Sequence, residues 1–310
     1  MSCIKPILVT GIHRSGTTFV GKMLSLPRSV GYIHEPFNTV YGIEGIPDEY
    51  YYVTKQSSYE PEFRRLIQRL LDGQASYRAA KQRLGEPAVK TIARALFKSS
   101  NNLGYRLCML NPLVKRWLIK DPLAAMSSEY LHREFNMETV VVVRHPAAFV
   151  ASVKRVKWPT RLDVFYNQSR LVQDHLAEDF ANYARERLNP VEQAAFMWLL
   201  VYRVLSRFAE RNAKMIVRRH EDLSLHPTLR FAELYNILNL SYSRRVEAEI
   251  IKFTDARNPA DPINNERHGL RRNSVMNIKR WKNILSPGEV KSIRRIVEPL
   301  ASRYYNASDW

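Results

Sequence analysis

A chain of 310 residues, 45% of them hydrophobic, is long enough to bury one large core. Lys and Arg number 48 against 30 Asp and Glu, a formal charge of +18 that calls for an anionic partner. The basic residues are dispersed along helices and form no recognised nucleic-acid module, which argues against nucleic acid and leaves pairs such as Arg64/Arg65 and Arg294/Arg295 as solvated surface. No Pro/Gly/Ser-rich linker, low-complexity tract or repeat divides the chain, so residues 1–310 are read as one domain. Two cysteines, Cys3 and Cys108, are too few for a disulfide framework or a metal cluster and are expected as free thiols. The longest apolar stretch, residues 194–202, is too short to span a bilayer, and no secretory apolar region precedes the first strand. A soluble, cytoplasmic protein is expected.

In chain order, the apolar run Ile7–Thr10 reads as a strand. Gly11-Ile12-His13-Arg14-Ser15-Gly16-Thr17-Thr18 follows it and leads into a helix over 17–25, with Phe19, Val20, Met23 and Leu24 at helical spacing. Strand, glycine turn and helix is the context of a phosphate-binding loop. The glycines let successive N–H groups turn inward, and the helix dipole adds to them. Triphosphatases place a lysine where this chain has Thr17, to reach the β- and γ-phosphates. Here Arg14 supplies the cation from inside the loop, so a terminal phosphate or phosphosulfate is expected rather than a metal-bound triphosphate.

A strand over 30–33 precedes Glu35, and residues 41–110 read as an insertion of mostly helical pattern. Phe63, Leu66, Ile67, Leu70 and Leu71 share one face of it, a packing stripe. A strand over 117–120 ends at Lys120, and a helix over 127–134 follows. Val140-Val141-Val142-Val143 lies in a buried strand over 139–143, Arg144-His145-Pro146 is its exit, and a helix over 147–155 carries Ser152. An arginine at the carboxyl end of a buried strand and a hydroxyl two turns into the next helix can converge on one phosphate. A helix over 191–211, a strand over 215–218 and a helix over 228–239 continue the alternation. Ser286-Pro287-Gly288-Glu289 is a capping box that starts a last helix. The class is α/β: a central parallel sheet with helices on both faces, and Arg14, Glu35, Lys120 and Arg144 delivered to one crevice at the strand carboxyl ends.

The loop and the Arg144/Ser152 pair together resemble the nucleotide site of the sulfotransferases that use 3′-phosphoadenosine 5′-phosphosulfate (PAPS). Ile33-His34-Glu35-Pro36-Phe37-Asn38 stands where the membrane-bound tyrosylprotein and carbohydrate branches carry a strand-end glutamate. Lys120-Asp121-Pro122, followed by Ser127-Ser128 and Tyr130-Leu131, is similar to the Lys-Asp-Pro segment of the tyrosylprotein branch. His220-Glu221-Asp222-Leu223 resembles a Tyr-Glu-Asp-Leu segment, and Trp281-Lys282-Asn283 a C-terminal Trp-Lys-Asn. The cytosolic branch differs: it has lysine in place of Arg14, a Lys-x-His base segment in place of Lys120-Asp121-Pro122, and a C-terminal Arg-Lys-Gly missing here. The membrane-bound branches carry an anchor, so a bacterial-type soluble enzyme or a trimmed catalytic domain is expected.

The resemblance implies a P-loop nucleotide-hydrolase-like sulfotransferase fold with a helical insertion. It implies PAPS as sulfuryl donor and a hydroxyl acceptor, a glycan or a small-molecule alcohol. His13, Arg14, Ser15, Gly16, Thr17 and Thr18 would hold the 5′-phosphosulfate, and Arg144 and Ser152 the 3′-phosphate, with Arg272 assigned beside them. Arg14 and Lys120 would stabilise charge on the bridging oxygen, so no metal is required, and no metal-ligand spacing is seen. Glu35 is the preferred general base, its pKa raised by partial burial. His34 is the alternative, although strand alternation points it to the opposite face. His145 is expected to pack or cap near the nucleotide. Tyr50-Tyr51-Tyr52 and the polar segment 159–190 are candidates for acceptor recognition, with packing the simpler role for any one of them. A P-loop kinase and a non-catalytic polyanion-binding protein are the rival classes. The missing loop lysine and the Arg144/Ser152 pair oppose the first, and donor-nucleotide affinity would exclude the second.

Overall fold

The computed structural model describes residues 5–79, 99–183, 186–255, 257–259 and 274–310. Strands β1 (Ile7–Thr10), β2 (Val30–His34), β3 (Arg116–Lys120), β4 (Glu138–Val143) and β5 (Ile216–Arg219) form one parallel sheet in the order β2-β3-β1-β4-β5. Leu8 pairs with Ile119 and Thr139, and Ile33 with Ile119, so the carboxyl ends of β1, β2, β3 and β4 lie side by side. Alternation along the strands divides the core in two. Leu8, Ile33, Ile119, Val141 and Val143 face one layer of helices, and Ile7, Val9, Leu118, Val140 and Val142 face the other.

On the second face lie α1 (Thr17–Leu24), α8 (Pro227–Ile237) and α9 (Arg244–Thr254), which contribute Val20, Met23, Phe231, Leu234 and Ile250. The first face is covered by α5 (Pro146–Val156), α6 (Pro190–Arg211) and α10 (Pro287–Ala301). Helix α6 begins in a capping box, Asn189 with Glu192, and buries Trp198, Tyr202 and Phe208 against the sheet. The apolar stretch 194–202 is thus core, and among the described residues no helix is long and apolar enough to cross a membrane. The capping box expected at Ser286 and Glu289 starts α10.

Between β2 and β3 the chain forms α2 (Glu60–Leu71) and α3 (Ser100–Leu110). Phe63, Ile67 and Leu70 of the expected stripe are buried, with Leu66 and Leu71 packed at its margin. The helical reading of the insertion needs correction over residues 41–59, which run as turns and extended chain. Gly42 and Gly45 break the pattern: a Cβ on Gly42 would stand 2.3 Å from the Pro36 carbonyl oxygen, and Gly45 has φ +99. Buried Ile43, Ile46, Tyr50 and Val53 anchor this loop instead. Helices α4 (Ser128–Glu134) and α7 (His220–Leu225) complete the set used below. In the segment 159–190, Val164, Phe165, Leu171 and Leu176 are buried and pack, while Pro159 and Arg161 line the cavity described below.

Gly11 sits at φ +148, and a Cβ there would lie 2.4 Å from the Val142 carbonyl oxygen in β4. That oxygen also accepts from the Tyr202 hydroxyl at 2.7 Å, so it has little room to move. Gly11→Ala should therefore lower unfolding stability by at least the roughly 1–3 kcal/mol of a strained backbone. An unchanged denaturation midpoint would contradict this close approach.

Candidate active site

The loop after β1 is fixed from three sides. Arg14 takes a left-handed φ of 64 and Gly16 one of 96, where Gly16 ends the turn as the N-cap of α1. No side chain caps α1, so the amides of its first turn can meet an anion. The Arg14 Nε donates to Ser152 Oγ at 3.1 Å, and the Arg144 guanidinium donates to the Arg14 carbonyl at 2.6 Å. Arg144 is held in turn, since its carbonyl accepts from the Trp198 indole at 2.8 Å. Arg14, Arg144 and Ser152 thus come from three elements into one hydrogen-bonded group.

His13 is tied to the insertion. Its amide donates to the Tyr50 hydroxyl at 3.1 Å, and its Nδ1 lies 2.8 Å from that oxygen. Its ring stacks on Trp158, centroids 5.3 Å apart at 29°. Burial, aided by the Arg14 charge, lowers its pKa to about 4, so the imidazole is neutral near pH 7 and Arg14 supplies the charge of the loop. Tyr50, a candidate for acceptor recognition, is instead a buried brace on this loop. Tyr52 likewise turns inward, to Asp174 and His175.

Glu35 follows β2 at φ 43, which turns its carboxylate over the end of β3. One oxygen, Oε1, accepts from the Lys120 ammonium, and the other, Oε2, accepts from the Tyr41 hydroxyl. Lys120 is fully buried, its stem lying under Gly21 of α1, where an added Cβ would be 2.9 Å from Lys120 Cγ. Burial alone would raise the Glu35 carboxyl, but the Lys120 and His34 charges and the two hydrogen bonds outweigh it and hold it below the ordinary carboxylate range. The raised Glu35 pKa expected from sequence is therefore reversed. Asp121 next door has no cation of its own on its oxygens. Burial, with Glu35 nearby, lifts it to about 7 although the Phe37 and Leu123 amides donate to it at 2.6 and 2.8 Å.

The exit of β4 is clamped from the C-terminal region. The His145 amide donates to Glu221 Oε1 at 2.9 Å, and Tyr305 donates to Oε2 at 2.9 Å. The His145 ring lies parallel to Trp281 at 8°, with Tyr305 and Trp310 at its edges. Neither ring nitrogen has a hydrogen-bond partner. The Glu221 and Trp281 segments singled out in the sequence thus meet on one residue, and His145 packs as expected.

A cavity of about 420 Å³ opens above the strand ends. His13, Arg14, Gly16, Thr17 and Thr18 line it from the loop, and Glu35, Arg144 and Ser152 line it as well. Three candidates are placed elsewhere. Ser15 is buried, and its amide is spent on the Ile12 carbonyl at 3.1 Å. Lys120 lies behind Glu35, because a buried ammonium needs that carboxylate. His34 turns to the other side of β2 and stacks on Tyr32 at 28°, as alternation required. Arg272 and Cys3 lie outside the described residues. Tyr41, Trp158, Arg155 and Arg280 also line the cavity and were not identified from sequence. Among the described residues no three His, Cys, Asp or Glu side chains gather as a metal site.

A model described as the sulfotransferase family matches residues 6–244, more than half of the chain, and the chain belongs to that family. It is a sulfotransferase, an enzyme that moves a sulfuryl group, on the P-loop sulfotransferase fold. Among solved structures it is similar to the sulfotransferase domain of the Synechococcus PCC 7002 olefin synthase, with 15% identity, 97% of this chain and 95% of that one covered, and a TM-score of 0.49. The sulfotransferase domain from the curacin biosynthetic pathway gives 16% identity, 97% and 99% coverage and 0.49. A retinol dehydratase in complex with androsterone and the inactive cofactor PAP gives 14%, 98%, 83% and 0.45. No curated protein matches the chain significantly in sequence.

The neutral histidines make stability depend on pH. Burial, reinforced by Arg219, Lys282 and Arg144 and opposed by Asp309, lowers His145 to about 3. The unfolded chain, with histidine near 6.5, therefore binds this proton first. The stabilisation is complete above about pH 6.5 and is lost as the pH falls from there toward the folded value. His145→Phe keeps the stacking and removes the titration, so it should flatten stability between pH 6 and pH 4 by roughly 1 kcal/mol per pH unit. Denaturant titrations at several pH values check this; parallel curves for the two proteins would refute it.

Proposed function

We propose that the chain transfers a sulfuryl group from PAPS to a hydroxyl of a glycan or small-molecule alcohol. The observation that carries this reading is a cavity lined both by the hydrogen-bonded group of Arg14, Arg144 and Ser152 and by Glu35. The 5′-phosphosulfate would lie on the α1 amides with Thr17 and Thr18, and Arg14 beside the bridging oxygen. Arg144 and Ser152 would hold the 3′-phosphate. As the acceptor oxygen bonds to sulfur, the bond from sulfur to the bridging oxygen breaks, and Arg14 stabilises the charge left on the departing nucleotide. Glu35 receives the acceptor proton, while Lys120 holds the carboxylate in place from behind. Trp158, half-exposed at 50%, offers a flat apolar wall beside Asn38, Glu49 and Arg161. A ring platform with a polar rim suits a saccharide, whose faces carry C–H groups and whose edges carry hydroxyls.

Sulfate transfer from PAPS across a panel of saccharides, aliphatic alcohols, phenols and tyrosine peptides tests the reading. Transfer confined to phenols and peptides would overturn the acceptor assignment. Arg144→Ala should cost about 1.5–3 kcal/mol in affinity for 3′-phosphoadenosine 5′-phosphate and much less for AMP, so selectivity between the two collapses. Calorimetry that finds the same ratio in both proteins would remove Arg144 from the 3′-phosphate.

Glu35→Gln preserves shape but not proton affinity. With saturating donor and an alcohol acceptor, kcat should fall about 10²–10⁴-fold while donor affinity stays nearly constant. Because Glu35 is held low, the wild-type acid limb should lie below the ordinary carboxylate range, activity being lost as the pH drops through it. Near-normal turnover of Glu35→Gln alongside an inactive His34→Gln would exchange their roles.

A further inference from the structure

Both oxygens of Glu35 are already engaged. Oε1 accepts from the buried Lys120 ammonium, and Oε2 accepts from the Tyr41 hydroxyl. Tyr41 lines the cavity together with Glu35, so an acceptor hydroxyl that approaches Oε2 meets the Tyr41 hydroxyl there. Tyr41 is held in place. Asn38 Oδ1 accepts from the Val40 and Tyr41 amides at 2.9 and 3.3 Å, and the Asn38 carbonyl accepts from the Gly42 amide at 2.7 Å. Gly42 leaves no space for a side chain in this turn. The phenol is thus fixed in a tight turn that starts from the same loop as Glu35, three residues after Asn38.

We propose that Tyr41 is a catalytic residue that passes the acceptor proton to Glu35. This rests on the reading of Glu35 as the terminal base. The Tyr41 oxygen takes the proton of the acceptor hydroxyl as the new oxygen–sulfur bond forms, and the proton already on Tyr41 moves to Glu35 Oε2. The phenol ends neutral, Glu35 ends protonated, and the nucleotide leaves with the electron pair of the broken bond. No other reactant is needed. A phenol that stayed a phenolate would be costly here, because burial and the adjacent Glu35 charge raise its pKa. A concerted transfer avoids that state.

Three variants, Tyr41→Phe, Glu35→Gln and the double variant, separate the possibilities. The probes are sulfate transfer to the best alcohol of the panel above and the slow hydrolysis of PAPS, in which water is the acceptor. Calorimetry with 3′-phosphoadenosine 5′-phosphate confirms in each case that the donor site is folded. With a relay, Tyr41→Phe lowers kcat at least about 10²-fold, and the double variant is no slower than the slower single one. Two protons are then in flight, so wild-type rates curve downward with deuterium fraction in mixed H₂O/D₂O. If Glu35 accepts directly, Tyr41→Phe removes a hydrogen bond that lowers its pKa. The acid limb then moves up and kcat stays within a few-fold of wild type or rises; that result overturns the relay while the base reading stands. Should Glu35→Gln turn over normally, the base reading falls and the relay with it.

Discussion

A fully buried ammonium in the centre of the molecule governs the geometry around it. Desolvating the Lys120 charge costs several kcal/mol unless a carboxylate meets it, and Glu35 is that carboxylate. To reach it Glu35 adopts a positive φ, one of the few non-glycine residues to do so. The turn from Glu35 to Gly42 follows from this conformation, as does the need for Asp121 to stitch Phe37 back to the exit of β3. Gly21 lacks a side chain because the Lys120 stem passes beneath it. One ion pair thus joins α1, β2, β3 and the start of the insertion. Its net contribution to stability can be small, as for other buried pairs, but the loss of either partner would strand the other charge.

Elsewhere around the cavity several cations lie close together. Arg14, Arg144 and Arg155 all border the cavity, and the histidine between Arg14 and the insertion is kept neutral. Such a wall complements a ligand with several negative charges, and the Arg144 bond to the Arg14 carbonyl couples its two halves. The neutral His145, stacked on Trp281, extends the same economy: it fills space next to Arg144 without adding charge.

The strands and their order of function were legible because apolar runs such as Val140 to Val143 end at single charged residues, and a parallel sheet brings such ends together. Arg14, Glu35, Arg144 and Ser152 could be found that way. What could not be read was direction beyond the strand. Lys120 looks equivalent to Glu35 in sequence, yet as the last residue of β3 it points under α1 rather than into the cavity. Ser15 looks like a loop ligand, but the left-handed turn at Arg14 buries it. Tyr41 and Trp158 had no signal at all. They are ordinary aromatic residues in polar stretches, and only the backbone turn at Asn38 and the stacking on His13 bring them to the site. The Glu35 pKa was misread for a related reason: burial was foreseen, but its pairing with Lys120 was not.

The insertion is usually the part of such a fold on which acceptor choice would be expected to depend, since loops over the crevice carry specificity. Here it also holds the loop after β1 and Glu35. Tyr50 grips the backbone and ring of His13 in the phosphate loop, and Tyr41 grips Glu35, with eight residues between them. Both tyrosines sit in the non-helical stretch that the glycines make possible. A shift of that stretch would therefore move the loop after β1 and Glu35 together.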